Sequence, residues 1–183
     1  YCSIANEHHF NRLQDALKNS VSAGAEIAYG GETSQSGLYL SPAILTGVSY
    51  ENPIMQEEIF GPILPVVKVK NLEESIDYVN NKEKPLALYL FSEKSSVHKK
   101  VLHNTSSGGM VINDCVIHHM NPNLPFGGVN NSGVGSYHGK FGFDAFSHQK
   151  AVLKSSSLSP FQIMLPPYTK TKEALANLIK KYF

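Results

Sequence analysis

Three groups of residues in this chain have the types and spacing that chemistry uses. Cys115 lies three residues before His118 and four before His119, and a thiol beside an imidazole pairs a nucleophile with a base. The adjacent carboxylates Glu57 and Glu58 open the run Glu57-Glu58-Ile59-Phe60-Gly61-Pro62. An ionised carboxylate only accepts hydrogen bonds and takes two donors at once, which suits neighbouring hydroxyls of a sugar. Gly127, Gly128, Gly133 and Gly135 crowd the segment after Leu124-Pro125-Phe126.

Each group also has a plainer reading. An unpaired intracellular cysteine is ordinarily a small buried residue, which is the expectation for Cys115. An isolated glutamate is ordinarily a solvated acid. The glycines lack the G-x-G-x-x-G spacing after a strand, so they mark backbone freedom and not a phosphate cradle. Cys115, His118, His119 and His138 match no structural-zinc spacing, and no metal site is assigned to them.

The elements that position these residues come from a soluble composition. The chain has 183 residues, 42% hydrophobic and 17% charged, enough for one domain or one large piece of a bigger one. A net charge of +1 gives no bulk electrostatic case for nucleic acid or an anionic membrane. Two cysteines make no disulfide framework and point to a reducing compartment. No apolar run reaches the length of a membrane span. The opening at Tyr1, without Met, suggests a start inside a longer reading frame.

Phe10, Leu13, Leu17 and Val21 recur at helical spacing, which predicts a helix from Asn6 to about Ser22. Glu26–Tyr29 is a short strand closed by Gly30-Gly31, and Pro42 splits the apolar stretches Leu38–Leu40 and Ala43–Leu45. Ile63–Val69 reads as a strand whose Pro65 argues for an edge or a bend. Asn71 with Glu74 starts a helix with Leu72, Ile76 and Val79 inward. Leu86–Phe91 is a strand, 92–104 a helix with Val97, Val101 and Leu102 inward, and Met110–Asn113 a further strand. Strand, helix, strand, helix, strand over 63–113 predicts one parallel α/β layer. The long loop 122–139 should be functional, Phe141, Phe143 and Phe146 fall on a short helix or turn, and Ala151–Leu153 is a short strand. From Thr171 on, Leu175, Leu178, Ile179 and Tyr182 form the stripe of a terminal amphipathic helix.

Gln56-Glu57-Glu58-Ile59-Phe60-Gly61-Pro62, then Leu124-Pro125-Phe126-Gly127-Gly128-Val129 with Ser132-Gly133-Val134-Gly135, resemble two segments of the aldehyde dehydrogenases. Ser136-Tyr137-His138-Gly139-Lys140 with Phe146-Ser147-His148, Lys84-Pro85-Leu86-Ala87-Leu88-Tyr89 and Ser106-Ser107-Gly108-Gly109 resemble the class-3 branch, which holds fatty-aldehyde enzymes. The similarity covers almost the whole chain in order. It implies the C-terminal part of an α/β catalytic domain over residues 1–148, an oligomerisation strand over 149–155, and an extension with a helix over 156–183. The family oxidises an aldehyde to a carboxylic acid through a cysteine thiohemiacetal and hydride transfer to NAD or NADP. Its nucleophile, its glutamate base and its dinucleotide-binding subdomain precede the point matching Tyr1, so no catalytic residue is assigned here.

The same resemblance implies that Glu58 accepts hydrogen bonds from the nicotinamide ribose and that Phe60 packs beside the nicotinamide. It sets Asn113, Ile117, His118, His119, Met120, Phe126 and His138 along the aldehyde tunnel. Phe126 has an equal alternative as a loop anchor, and Asn113 one as a buried amide pinning backbone. His138 has one as a hydrogen bond to the loop. Glu58 should lie at the exit of the α/β layer, with Phe126 and His138 near one cavity. A homodimer through 149–155, a cytoplasmic location and, as an alternative, peripheral membrane contact through the terminal helix complete the expectation. The competing functional reading is a catalytically silent binding or dimerisation remnant. A piece of a larger domain should also leave apolar surface uncovered.

Overall fold

The structure, a computed structural model, describes residues 2–155 and 165–182. Helix α1 (Glu7–Ser22) starts at Asn6, whose side chain accepts from the His9 amide at 2.9 Å. It buries Phe10, Leu13 and Leu17, as their spacing predicts. The next position inward is Ser20 and not Val21, which is exposed. Ser20 is tolerated there because its hydroxyl bonds the Ala16 carbonyl at 2.6 Å, and its own carbonyl accepts from buried Asn52 at 3.1 Å.

Strands β1 (Glu26–Tyr29), β4 (Ala43–Thr46) and β5 (Ile63–Pro65) form one sheet in the order β1-β4-β5. The first pair is antiparallel, the second parallel. Two short strands, β2 (Thr33–Ser34) and β3 (Tyr39–Leu40), make a small antiparallel ribbon before β4. The core lies where α1 meets this sheet: Leu13, Leu17, Leu40, Leu45, Ile54 and Ile63 pack as one buried cluster.

Helix α2 (Leu72–Asn80) is capped by Asn71, which accepts from the Glu74 amide at 2.9 Å. Glu74 answers by accepting from the Lys70 amide at 2.7 Å, one residue earlier than a capping box requires. Strands β6 (Ala87–Leu90) and β7 (Gly109–Ile112) pair in parallel around helix α3 (Ser95–Asn104), a right-sized crossover. Helix α4 (Gly139–Ala145) and helix α5 (Lys170–Tyr182) follow the long loop.

The fold class, α/β with parallel strands and covering helices, is the one expected. Its detail differs in four places. The stretch 63–113 is not one layer: β5 pairs with β4, whereas β6 and β7 form a sheet of their own. β5 ends at Pro65, at the sheet edge, where the missing amide faces away from β4 and costs no ladder bond, since Leu45 accepts from the Val66 amide at 2.8 Å. Helix α3 begins at Ser95 and leaves Leu102 exposed, since Val97 and Val101 already occupy its inward stripe. Residues 151–155 form no strand within the chain. Apolar surface is left uncovered, as expected of a piece of a larger domain: the α5 stripe Leu175, Leu178 and Ile179 is exposed, as are Leu64, Tyr89 and Ile112 on the strands and Phe91 just after β6.

Candidate functional site

The run from Glu57 to Pro62 leaves the short 3-10 turn Pro53–Met55 and enters β5. Both carboxylates are exposed, but they are not equivalent. Arg12 of α1 donates from Nη1 to Glu57 Oε1 at 3.1 Å and from Nη2 to the Ile59 carbonyl at 2.5 Å. Glu57 is therefore engaged. Glu58 has no hydrogen-bond or ion-pair partner among the described residues. Phe60, next but one, sits at φ 43° and is 77% exposed.

Glu58 lines two adjoining clefts of about 490 Å³ each, which share Glu83 and Pro85. One is walled by Tyr78 and Lys82 of the α2 end, the other by Lys84, Asn131 and Ser132. The two walls are tied together: Asn131 Nδ2 donates to Glu83 Oε1 at 2.6 Å across 48 residues. Behind that contact, Gly108 lets the glycine-rich loop approach the strands. A Cβ there would fall 2.2 Å from the Gly127 carbonyl oxygen and 2.7 Å from that of Leu86. Phe60 faces a different cavity, lined by Cys2, Ile4, His9 and Gly61.

The expected tunnel residues gather around Phe126. Its ring centroid lies 5.3 Å from His118, 6.0 Å from His119, 5.7 Å from Tyr137 and 5.9 Å from His138. The backbone fixes this cluster, because Phe126 and Tyr137 exchange both hydrogen bonds, at 3.1 and 2.9 Å. Tyr89 of β6 closes it with its ring 6.0 Å from His118. His118 has both ring nitrogens buried and unbonded, an uncommon state for an imidazole. His119 instead has Nδ1 at 2.8 Å from the Val116 carbonyl, and His138 has Nδ1 at 3.3 Å from that of Leu124. Ile117 and Met120, on the 3-10 turn Ile117–Met120, point apolar surface to solvent.

Asn113 is exposed and not buried, because the strand ends at Ile112 and the chain turns there at φ 61°. Its side chain still pins backbone, accepting from the Ser92 amide at 2.8 Å. Cys115 is exposed too, correcting the expectation of a buried thiol; the residue lies on the turn after β7 and not in a core. Among the described residues no group of three His, Cys, Asp or Glu is placed to hold a metal ion. The clefts beside Glu58 are lined by neither Phe126 nor His138, which stack on one another, and the 126–132 loop runs from that pair to Asn131 and Ser132 on the cleft wall.

Sequence reasoning missed Arg12, Glu83 and Asn131, whose contacts bridge tens of residues and leave no local signal, and Tyr89, although it closes the Lys84-Pro85-Leu86-Ala87-Leu88-Tyr89 run. Tyr137 carried a signal, since it belongs to the Ser136-Tyr137-His138-Gly139-Lys140 run.

Comparisons with known proteins bear on this geometry. The model of the aldehyde dehydrogenase family matches residues 1–152. Aldehyde dehydrogenase family 3 member A2 of Mus musculus is 47% identical over the whole chain, which covers 37% of that protein. The dimeric NADP-preferring aldehyde dehydrogenase of Rattus norvegicus is 48% identical over 87% of the chain and 34% of its own length. Among solved structures, the substrate-bound state of Staphylococcus aureus AldH superimposes with a TM-score of 0.87 at 40% identity, over 97% of this chain and 38% of that one. The chain thus spans little more than a third of the relatives it matches. On the sequence match, the fold and the loops that surround Glu58 and Phe126, the chain belongs to the aldehyde dehydrogenase family, in its class-3 branch.

Proposed function

We propose that this chain forms the nicotinamide-ribose and substrate-entrance side of an NAD(P)-dependent enzyme that oxidises aldehydes to carboxylic acids. The observation that carries the reading is the division of labour between two adjacent carboxylates. Glu57 is held by Arg12, whereas Glu58 stands unpartnered at the mouth of the clefts. An acceptor-only group without a protein donor fits a ligand that brings its own hydroxyls. The dinucleotide, when bound, supplies the hydride acceptor.

The chain's own residues then have three tasks. Glu58 grips the ribose, and Phe60 covers one side of the nicotinamide. Phe126, with Tyr89, Tyr137 and His138, walls the aldehyde entrance and keeps water from the apolar part of the substrate. The nucleophile and the water-activating base come from a part of the enzyme outside this chain. Val152 and Leu153 are 80% and 93% exposed, which supports 149–155 as the strand that pairs two copies. The rat relative's description as dimeric and NADP-preferring is in keeping with that pairing and with either cofactor. Both cysteines are exposed and unpaired, which supports a reducing compartment such as the cytoplasm. No helix among the described residues is long and apolar enough to cross a membrane.

A chimera tests the proposal. Residues 1–183 replace the matching 38% of the Staphylococcus aureus enzyme, and aldehyde-dependent reduction of NAD or NADP is followed. The expected result is turnover that falls in Glu58→Gln, through a raised KM for the dinucleotide, and falls less in Glu57→Gln, whose amide oxygen still accepts from Arg12. A folded chimera without turnover would favour a silent binding role.

A further inference from the structure

We propose that Arg12 is a positioning residue that sets the geometry of the cofactor turn, an inference that rests on the reading of Glu58 given above. Three observations converge on it. The Arg12 fork holds the chain on either side of Glu58, through the Glu57 carboxylate at 3.1 Å and the Ile59 carbonyl at 2.5 Å. Glu58 is the one residue between those two points. Next, Leu13, the following residue of α1, lies against Gly61, where a Cβ would fall 2.4 Å from Leu13 Cδ2. The turn is seated so closely on the helix that a Cβ at Gly61 would displace the buried Leu13 side chain.

Third, Phe60 is held at φ 43°, a region that bulky residues avoid. Such a conformation persists only where its surroundings over-determine it. Arg12 at Ile59 and Leu13 at Gly61 are those surroundings, one on each side of Phe60. Helix α1 can serve as a template because it is itself rigid: capped by Asn6, and buried through Phe10, Leu13 and Leu17. The guanidinium is essential to the device. Its planar fork reaches two acceptors at fixed spacing, whereas a lysine ammonium is a single point on a flexible stem. By engaging Glu57, the same fork leaves Glu58 as the carboxylate available to a sugar.

The test uses the 183-residue chain, labelled for NMR, with nicotinamide mononucleotide as the probe. In Arg12→Met the amide resonances of Glu58, Ile59 and Phe60 should shift, as the Ile59 carbonyl loses its donor, with those of Leu17 and Leu45 unchanged. Binding of the mononucleotide should weaken by about ten-fold, the factor that one charge-assisted hydrogen bond commands. Arg12→Lys, which keeps the charge and the apolar stem, should fall between the two. If Arg12→Met does not fold, Arg12→Lys carries the comparison alone. Loop amides and binding equal to the parent in a folded Arg12 variant would overturn the proposal. So would a shifted loop that binds the mononucleotide as the parent does. Loss of binding in Glu58→Gln but not in the Arg12 variants would overturn the role of Arg12 and leave the Glu58 reading standing. No binding by the parent chain would remove the Glu58 reading and this inference with it.

Discussion

Gly108→Ala should detach the glycine-rich loop from the strands, and the size of the effect follows from the geometry. The added methyl would lie 2.2 Å from the Gly127 carbonyl oxygen, 2.7 Å from that of Leu86 and 3.0 Å from the Gly128 Cα. All three are backbone atoms, so no side-chain rotation relieves the clash. The chain must separate by about 1 Å or break the bonds that hold the bend, Gly108 N to Pro85 O and Gly109 N to Leu86 O, both 2.9 Å. Overpacking of this kind costs about 1–3 kcal/mol. For a chain of this size each kcal/mol lowers Tm by about 2–4 °C, so the variant should melt roughly 2–12 °C below the parent. Amide exchange should localise the loss to Phe126–Ser132, because the Asn131–Glu83 contact and the Phe126–Tyr137 pair hang from that bend. A Gly108→Ala chain that melts within about 1 °C of the parent, with unchanged protection over 126–132, would refute the account of how the loop is held.

Other outcomes are equally specific. Leu13→Ala should cost about 2–5 kcal/mol, since Leu13 is fully buried in the core cluster and no neighbour can follow a receding side chain without moving α1; denaturant unfolding measures it. The Lys100 side chain, bonded to Glu73, holds that carboxyl below its ordinary value of 4.5. The stability this adds is present above pH 4.5 and disappears as pH falls through the lower, folded-state value. Lys100→Met should flatten the acid limb of a Tm-against-pH curve, and the change should be small, because both partners are exposed. Residues 1–183 alone should reduce neither NAD nor NADP with an aldehyde, as followed by absorbance of the reduced cofactor. Steady turnover would mean that a nucleophile lies within the chain.

How much of this was legible in the sequence depended on the range of the contacts. Helix α1 was legible because Phe10, Leu13 and Leu17 repeat at a period that only a helix satisfies. Its C-terminal stripe was misread at Val21, because a serine bonded to the turn before it can be buried in place of an apolar residue. Strands β5, β6 and β7 were each visible as apolar runs, but nothing in a run names its partner. β5 turned back to β4, 20 residues earlier, and not onward to β6. Glu58 and Phe126 stood out because they belong to motifs of six or more residues. Arg12, Glu83 and Asn131 are single polar residues whose meaning exists only once distant segments meet. Cys115 looked like a core residue by type, and its place on a turn after β7 decided otherwise.

The most direct measurement is a crystal structure of the chimera with NAD or NADP bound. The account predicts both hydroxyls of the nicotinamide ribose within about 2.6–2.9 Å of the two Glu58 carboxylate oxygens, with Arg12 still on Glu57 and Ile59. A ribose bound elsewhere, with the Glu58 carboxylate facing only solvent, would contradict it.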